Sequence, residues 1–181
     1  MKRLFALALA FALVLSLAGA ATASEAGKYS DLVPGKTEEP EAKYSSTQSF
    51  LDALTAQELV YEYGGLSDSG AERVFFDYPG DYRQSIRIVA FFGKSESDVN
   101  FRVWNLIDFN SSDTGEILKL LNTLNSSFNY ACFTVDESDY SVTVMLDALL
   151  PDEGGEMALQ YLSMLGRIAD RGYQVLETYA K

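Results

Sequence analysis

The side chains of this chain that could do chemistry are its carboxylates, one cysteine and a pair of asparagines. Asp136, Glu137 and Asp139 crowd one short stretch, and Asp152, Glu153 and Glu156 another. Grouped acids could bind calcium through their oxygens or divide acid and base roles as a hydrolytic pair. Neither group has EF-hand spacing. Both fall at predicted turns or a helix N-terminus, where backbone dipoles favour acids for structural reasons. A calcium-dependent adhesive module and an extracellular hydrolase using acidic residues therefore stand as alternatives to the reading developed below. We assign no catalytic residue, metal ligand or cofactor.

Cys132 is the single cysteine and histidine is absent. The first fact excludes an internal disulfide, and the second excludes Ser-His-Asp and Cys-His catalysis and nearly all zinc or haem sites. A nucleophilic cysteine needs a neighbouring base or cation. With Ala131 and Phe133 beside it, Cys132 reads as a buried, inert strand residue. Asn122 and Asn125 sit in the last turn of a leucine-rich helix, in LLNTLN. There Asn125 helps end the helix and Asn122 bonds nearby backbone, with a polar recognition pair as the alternative. We read both as joints of a scaffold.

The elements that carry these residues follow from periodicity. Residues 1–23, ending in small residues, read as a cleavable signal peptide: Lys2 and Arg3 precede an apolar run from Leu4 to Leu17 that is short for a membrane span. Cleavage after Ala23 predicts a secreted protein with no span. Residues 24–45 are charged, proline-bearing and poor in apolar residues, the composition of a disordered linker. The folded domain is expected over 46–181. It opens with a helix to about Ala56, capped by Ser46 or Thr47, followed by strands at about 60–63, 73–78, 85–92 and 98–107. A second helix follows at about 114–124, capped by Asp113, then strands at about 129–135 and 140–146. A long helix opens at Pro151 and Asp152, with Ala158, Leu162, Leu165, Ala169, Gly172 and Leu176 in one stripe. Short turns between neighbouring strands imply an antiparallel sheet, and three amphipathic helices must cover one of its faces. The fold class is α+β.

The chain has 181 residues and a net charge of −12, and removing the leader would make it two charges more acidic. That balance disfavours nucleic acid and anionic membrane surfaces as partners, because phosphate binding needs the opposite sign.

A helix ending in LLNTLN, then two strands, then PDEGGEMALQYLSMLGRIADRGYQVL, resembles the YbjN-type family. The most specific piece is Asn122-x-x-Asn125 followed by the F-x-x-A-x-F strand at Phe128, Ala131 and Phe133. The family is labelled a bacterial sensory transduction regulator and shares the fold of type III secretion chaperones. The resemblance spans about residues 46–178. It implies a three-helix α+β domain without known catalysis, engaging a protein or peptide partner. A signal peptide is a departure from the cytoplasmic members.

Alternation in the central strands supplies a candidate surface. Ile86, Ile88, Ala90 and Phe92 share one face with Val99, Phe101 and Val103, and this apolar face belongs under the helices. The opposite face shows Arg87, Val89 and Phe91 with Asn100, Arg102, Trp104 and Leu106. Arginine and large aromatics together are the composition of interface cores. We name Arg87, Phe91, Arg102 and Trp104 as candidate partner-binding residues, for a protein or peptide or for a second copy in a homodimer. An ordinary half-solvated sheet face is the plain alternative.

Overall fold

The computed structural model describes residues 41–151 and 154–181; the expected signal peptide, the expected linker as far as Pro40, and Asp152 and Glu153 lie outside the described residues. Helix α1 spans Ser45–Ala56, and strands β1 (Tyr61–Leu66), β2 (Glu72–Tyr78), β3 (Ile86–Phe92) and β4 (Asp98–Asp108) follow. A 3-10 turn, Ser111–Asp113, leads into α2 (Thr114–Ser127), then β5 (Cys132–Asp136), β6 (Ser141–Leu149) and α3 (Gly155–Leu176). All strand pairs are antiparallel, and the sheet order is β1-β2-β3-β4-β6-β5. The α+β arrangement read from the sequence is the one observed. Strand β6 inserts between β4 and β5, so β1 and β5 form the two edges.

The inner face is the core. Ile86, Ile88, Phe92, Val99, Phe101 and Val103 are buried, beneath Ala158, Leu162, Leu165 and Ala169 of α3. Helix α3 lies across β3, β4 and β6, α1 packs on α3, and α2 packs against β5. Every residue of the expected α3 stripe is buried. One assignment of face changes. Leu106, expected on the open face, is buried, because the register shifts between Val103 and Ile107. Asn105 takes the left-handed conformation inside that shift (φ 51°), and the bulge turns Leu106 inward.

The helix caps differ from the sequence expectation. Ser46 and Thr47 are buried, and neither hydroxyl finds a partner among the described residues. The start of α1 is held instead by acids from the sheet. Glu96, in the β3–β4 loop, accepts from the Ser45 amide at 2.8 Å and from its hydroxyl. Glu72 accepts from the Lys43 and Tyr44 amides at 2.7 and 2.9 Å and from the Tyr63 hydroxyl. These acids occupy the place a capping carboxylate would take, and they draw the buried Tyr44 into the fold. Residues just before Ser46 are thus held to the sheet. Asp113 stands at the N-cap of α2, but its side chain makes no capping bond.

A second buried acid fixes the β2–β3 loop. Asp170 of α3 accepts from the Asp81, Tyr82 and Arg83 amides at 2.9, 3.1 and 3.0 Å. Gly80 lets the loop come this close, since a Cβ there would collide with the Asp170 carboxylate.

Candidate functional site

The face opposite the core is read most simply along one row of the register. Glu62, Phe75, Val89, Arg102, Met145 and Cys132 are successive partners across all six strands. Two residues to one side, Asp77 pairs with Arg87, and two to the other side Arg73 pairs with Phe91 and Phe91 with Asn100. Strand pleating puts all of these side chains on the same surface.

At the centre stand two aromatics. Trp104 is 50% exposed, and its ring meets that of Phe91 edge-on at a centroid distance of 5.6 Å. Phe91 is opposite Asn100, four residues from Trp104 along β4. The two side chains therefore lean toward each other along the strands, over Val89. Val89 is only 3% exposed although it lies on the open face. Edge-to-face contact is the favoured geometry for such rings.

The arginines flank this centre and are already engaged. Arg87 contacts Glu62 at 2.5 Å and Asp77 at 2.8 Å, and its guanidinium lies 4.9 Å from the centre of the Phe75 ring. The Glu62 hydrogen bond, and then Asp77, push the Arg87 pKa above its ordinary value. Arg102 contacts Asp147 at 2.6 Å. Each arginine thus has a carboxylate beside it on the same face. The patch is aromatic at its centre, charged at its rim and electrically balanced.

The asparagines divide. Asn125 lies within α2, which runs on to Ser127, so it does not end the helix. Its side-chain amide donates to the Phe133 carbonyl at 3.0 Å and accepts from the Phe133 amide at 2.7 Å. This pairs an edge-strand backbone as a neighbouring strand would. Asn122 is exposed, and its carbonyl accepts from the Ser126 hydroxyl at 2.8 Å. The two are not brought together in a site.

The expectation that Cys132 is buried is overturned: it is exposed. The alternation of β5 is set by Phe133, which points into the core beside Gly172, leaving Cys132 on the outer face at the sheet edge. Apolar sequence neighbours in a strand say nothing of burial, because they point the opposite way. Asp136 and Asp139 are turn formers; Asp136 accepts from the Ser138 amide and hydroxyl at 2.9 and 2.6 Å, and Asp139 accepts from the Ser141 amide at 3.1 Å. Among the described residues, no three or more His, Cys, Asp or Glu side chains gather as a metal site would require. Nor is any helix long and apolar enough to cross a membrane, among the described residues. An open groove of about 420 Å³ runs between α2 and α3, lined by Leu120, Leu124, Phe128 and Val175.

The geometry defines a class: an α+β layer with helices on one sheet face and a balanced aromatic patch on the other. No protein-family model matches the chain, and no curated protein matches it. Among solved structures it is similar to the crystal structure of YbjN from E. coli, described there as a proposed transcription regulator, with 9% identity and a TM-score of 0.46. The match covers 71% of this chain and 91% of that one. This is a likeness of arrangement, and no functional statement follows from it.

Proposed function

We propose that this is an exported, non-enzymatic binding domain that engages a protein partner through the outer face of its sheet. The observation that carries the reading is the Phe91–Trp104 pair, half exposed at the centre of a rim of arginine–carboxylate pairs. A water-exposed tryptophan braced by a second ring is the kind of rigid anchor that dominates interface energetics. Of the acids weighed for hydrolysis or calcium, Asp136 and Asp139 are engaged in turn hydrogen bonds, which favours a structural role for those two. Export rests on the leader sequence, and the YbjN-type resemblance with its partner or peptide binding rests on the motif at Asn122 to Phe133.

Affinity capture from cell envelope and culture supernatant tests the reading with paired variants. Trp104→Asp should lose proteins that the natural chain retains, and Val175→Asp, in the α2–α3 groove, should keep them. The same proteins retained by Trp104→Asp would overturn it.

A further inference from the structure

The outer face carries its charges in an order that fits a rotated copy of itself. On β2, Arg73, Phe75 and Asp77 lie on this face with opposite charges on either side of the ring. On β3, Arg87 and Phe91 stand on either side of Val89, and on β4 Asn100 and Trp104 on either side of Arg102. We propose that the occupant of this face is a second copy of the chain, related by a two-fold axis crossing the strands through Phe75, Val89 and Arg102. This rests on reading the face as a docking surface and goes further by naming the occupant.

Such an axis makes each strand face its own copy in the opposite direction. A residue two positions above the axis then meets the residue two positions below it. Arg73 meets Asp77, and symmetry makes this pair twice. Phe91 meets Arg87, an aromatic ring against a guanidinium. Trp104 meets Asn100, whose amide can partner an indole N–H. Arg102 lies near the axis with its charge matched by Asp147. Arg73 has donors to spare. Its Nη2 donates to the Gly64 carbonyl at 3.0 Å, which leaves further N–H groups of the guanidinium without that bond.

Charge also selects between occupants. In a chain of net charge −12, two copies repel wherever acids face acids. On this face Glu62 lies on the axis row and meets its own copy, and its charge is offset by Arg87 of the same chain at 2.5 Å; Asp77 and Asp147 likewise each have an arginine beside them. A basic partner would be drawn to the acidic surface elsewhere, and an acidic one would find Arg87 and Arg102 already engaged. The size fits too. Six strands about 4.8 Å apart and seven residues rising about 3.3 Å each give a face of roughly 600 Å² in projection. Side-chain relief brings that toward the roughly 800 Å² per partner of a standard interface.

The test is sedimentation equilibrium of the protein as purified from cells, beside Arg73→Asp and Asp77→Arg. The natural chain should be a dimer at micromolar concentrations, and each variant alone a monomer with an unchanged circular dichroism spectrum. An equimolar mixture of the two variants should dimerise again, because two acids on one copy then face two arginines on the other. Misfolding of a single variant cannot produce that recovery. Should either variant unfold, Trp104→Glu replaces it and should be monomeric. A monomeric natural chain, or a mixture that stays monomeric, overturns the proposal. If the natural chain is monomeric but Trp104→Asp loses a different protein in the capture experiment, the docking reading stands and only self-pairing falls.

Discussion

The side-chain amide of Asn125 grips the backbone of Phe133 at both polar groups, donating at 3.0 Å and accepting at 2.7 Å. This relationship closes the β5 edge of the sheet and ties α2 to it. Edge strands with unpaired backbone are sites of uncontrolled pairing, so the clamp has a protective as well as a stabilising role. Replacing Asn125 by alanine should cost roughly 1–3 kcal/mol, because both Phe133 groups lose their partner. Asn125→Asp should be no better, since it sets a carboxylate against the Phe133 carbonyl. Chemical denaturation measures both, and an unchanged midpoint in either would remove the clamp from the account.

Glu72 gives the fold an acid limb. It is fully buried. Burial, the largest influence, would raise its pKa, but the Tyr63 hydroxyl and the Lys43 and Tyr44 amides together outweigh it and leave the pKa below the usual carboxylate range. A carboxyl depressed in the folded state stabilises above its unfolded pKa, and that stability is lost as pH falls through the folded value. Thermal melts should therefore show Tm falling as pH drops below about 4.5 in the natural chain. The Glu72→Gln variant should be less stable at neutral pH and should show a shallower acid decline. An equal slope in the two proteins would contradict the assignment.

The same cluster acts at the alkaline end. Burial and the Glu72 carboxylate push the Tyr63 pKa up to about 12. The neutral phenol is then the form the fold favours, and its contribution is lost as pH rises from the ordinary value toward the folded one. Spectrophotometric titration of Tyr63→Phe against the natural chain should show one tyrosine fewer ionising late. Equal late absorbance changes would sink this assignment.

Alternation separates the two faces along β3, and along β4 as far as Trp104. Ile88 and Phe101 went inward and Arg87 and Trp104 outward, because period-2 geometry needs no knowledge of what is distant in the chain. What the sequence hid was set by partners far along it. Asp170 serves amides nearly ninety residues away, and Glu72 caps a helix that precedes it by almost thirty. As isolated acids, neither carries a local signal. Leu106 turns inward because a bulge at Asn105, inside β4, breaks the period. At the candidate patch, composition named Arg87, Phe91, Arg102 and Trp104, but not the carboxylates that neutralise the arginines. Those come from β1, β2 and β6, and only the strand order brings them alongside.

In a verified monomer Cys132 should react with a thiol reagent quickly and at one equivalent per chain, because it is exposed on the edge strand β5, and pairing of two copies across the row that ends at Cys132 should slow the reaction. The modified protein should keep its circular dichroism spectrum, as Phe133 and not Cys132 fills the core. Labelling that requires denaturant would contradict the exposed position.

Trp104 tests the central claim most directly, since it is the only tryptophan and its emission reports the outer face alone. In a monomer verified by sedimentation, the half-exposed ring should emit as a partly solvated indole and be quenched by acrylamide. On association with a bound protein or a second copy, the emission should shift to the blue and quenching should fall. A blue, unquenchable emission in the verified monomer, or quenching that is the same in monomer and complex, would contradict a docking surface at Trp104.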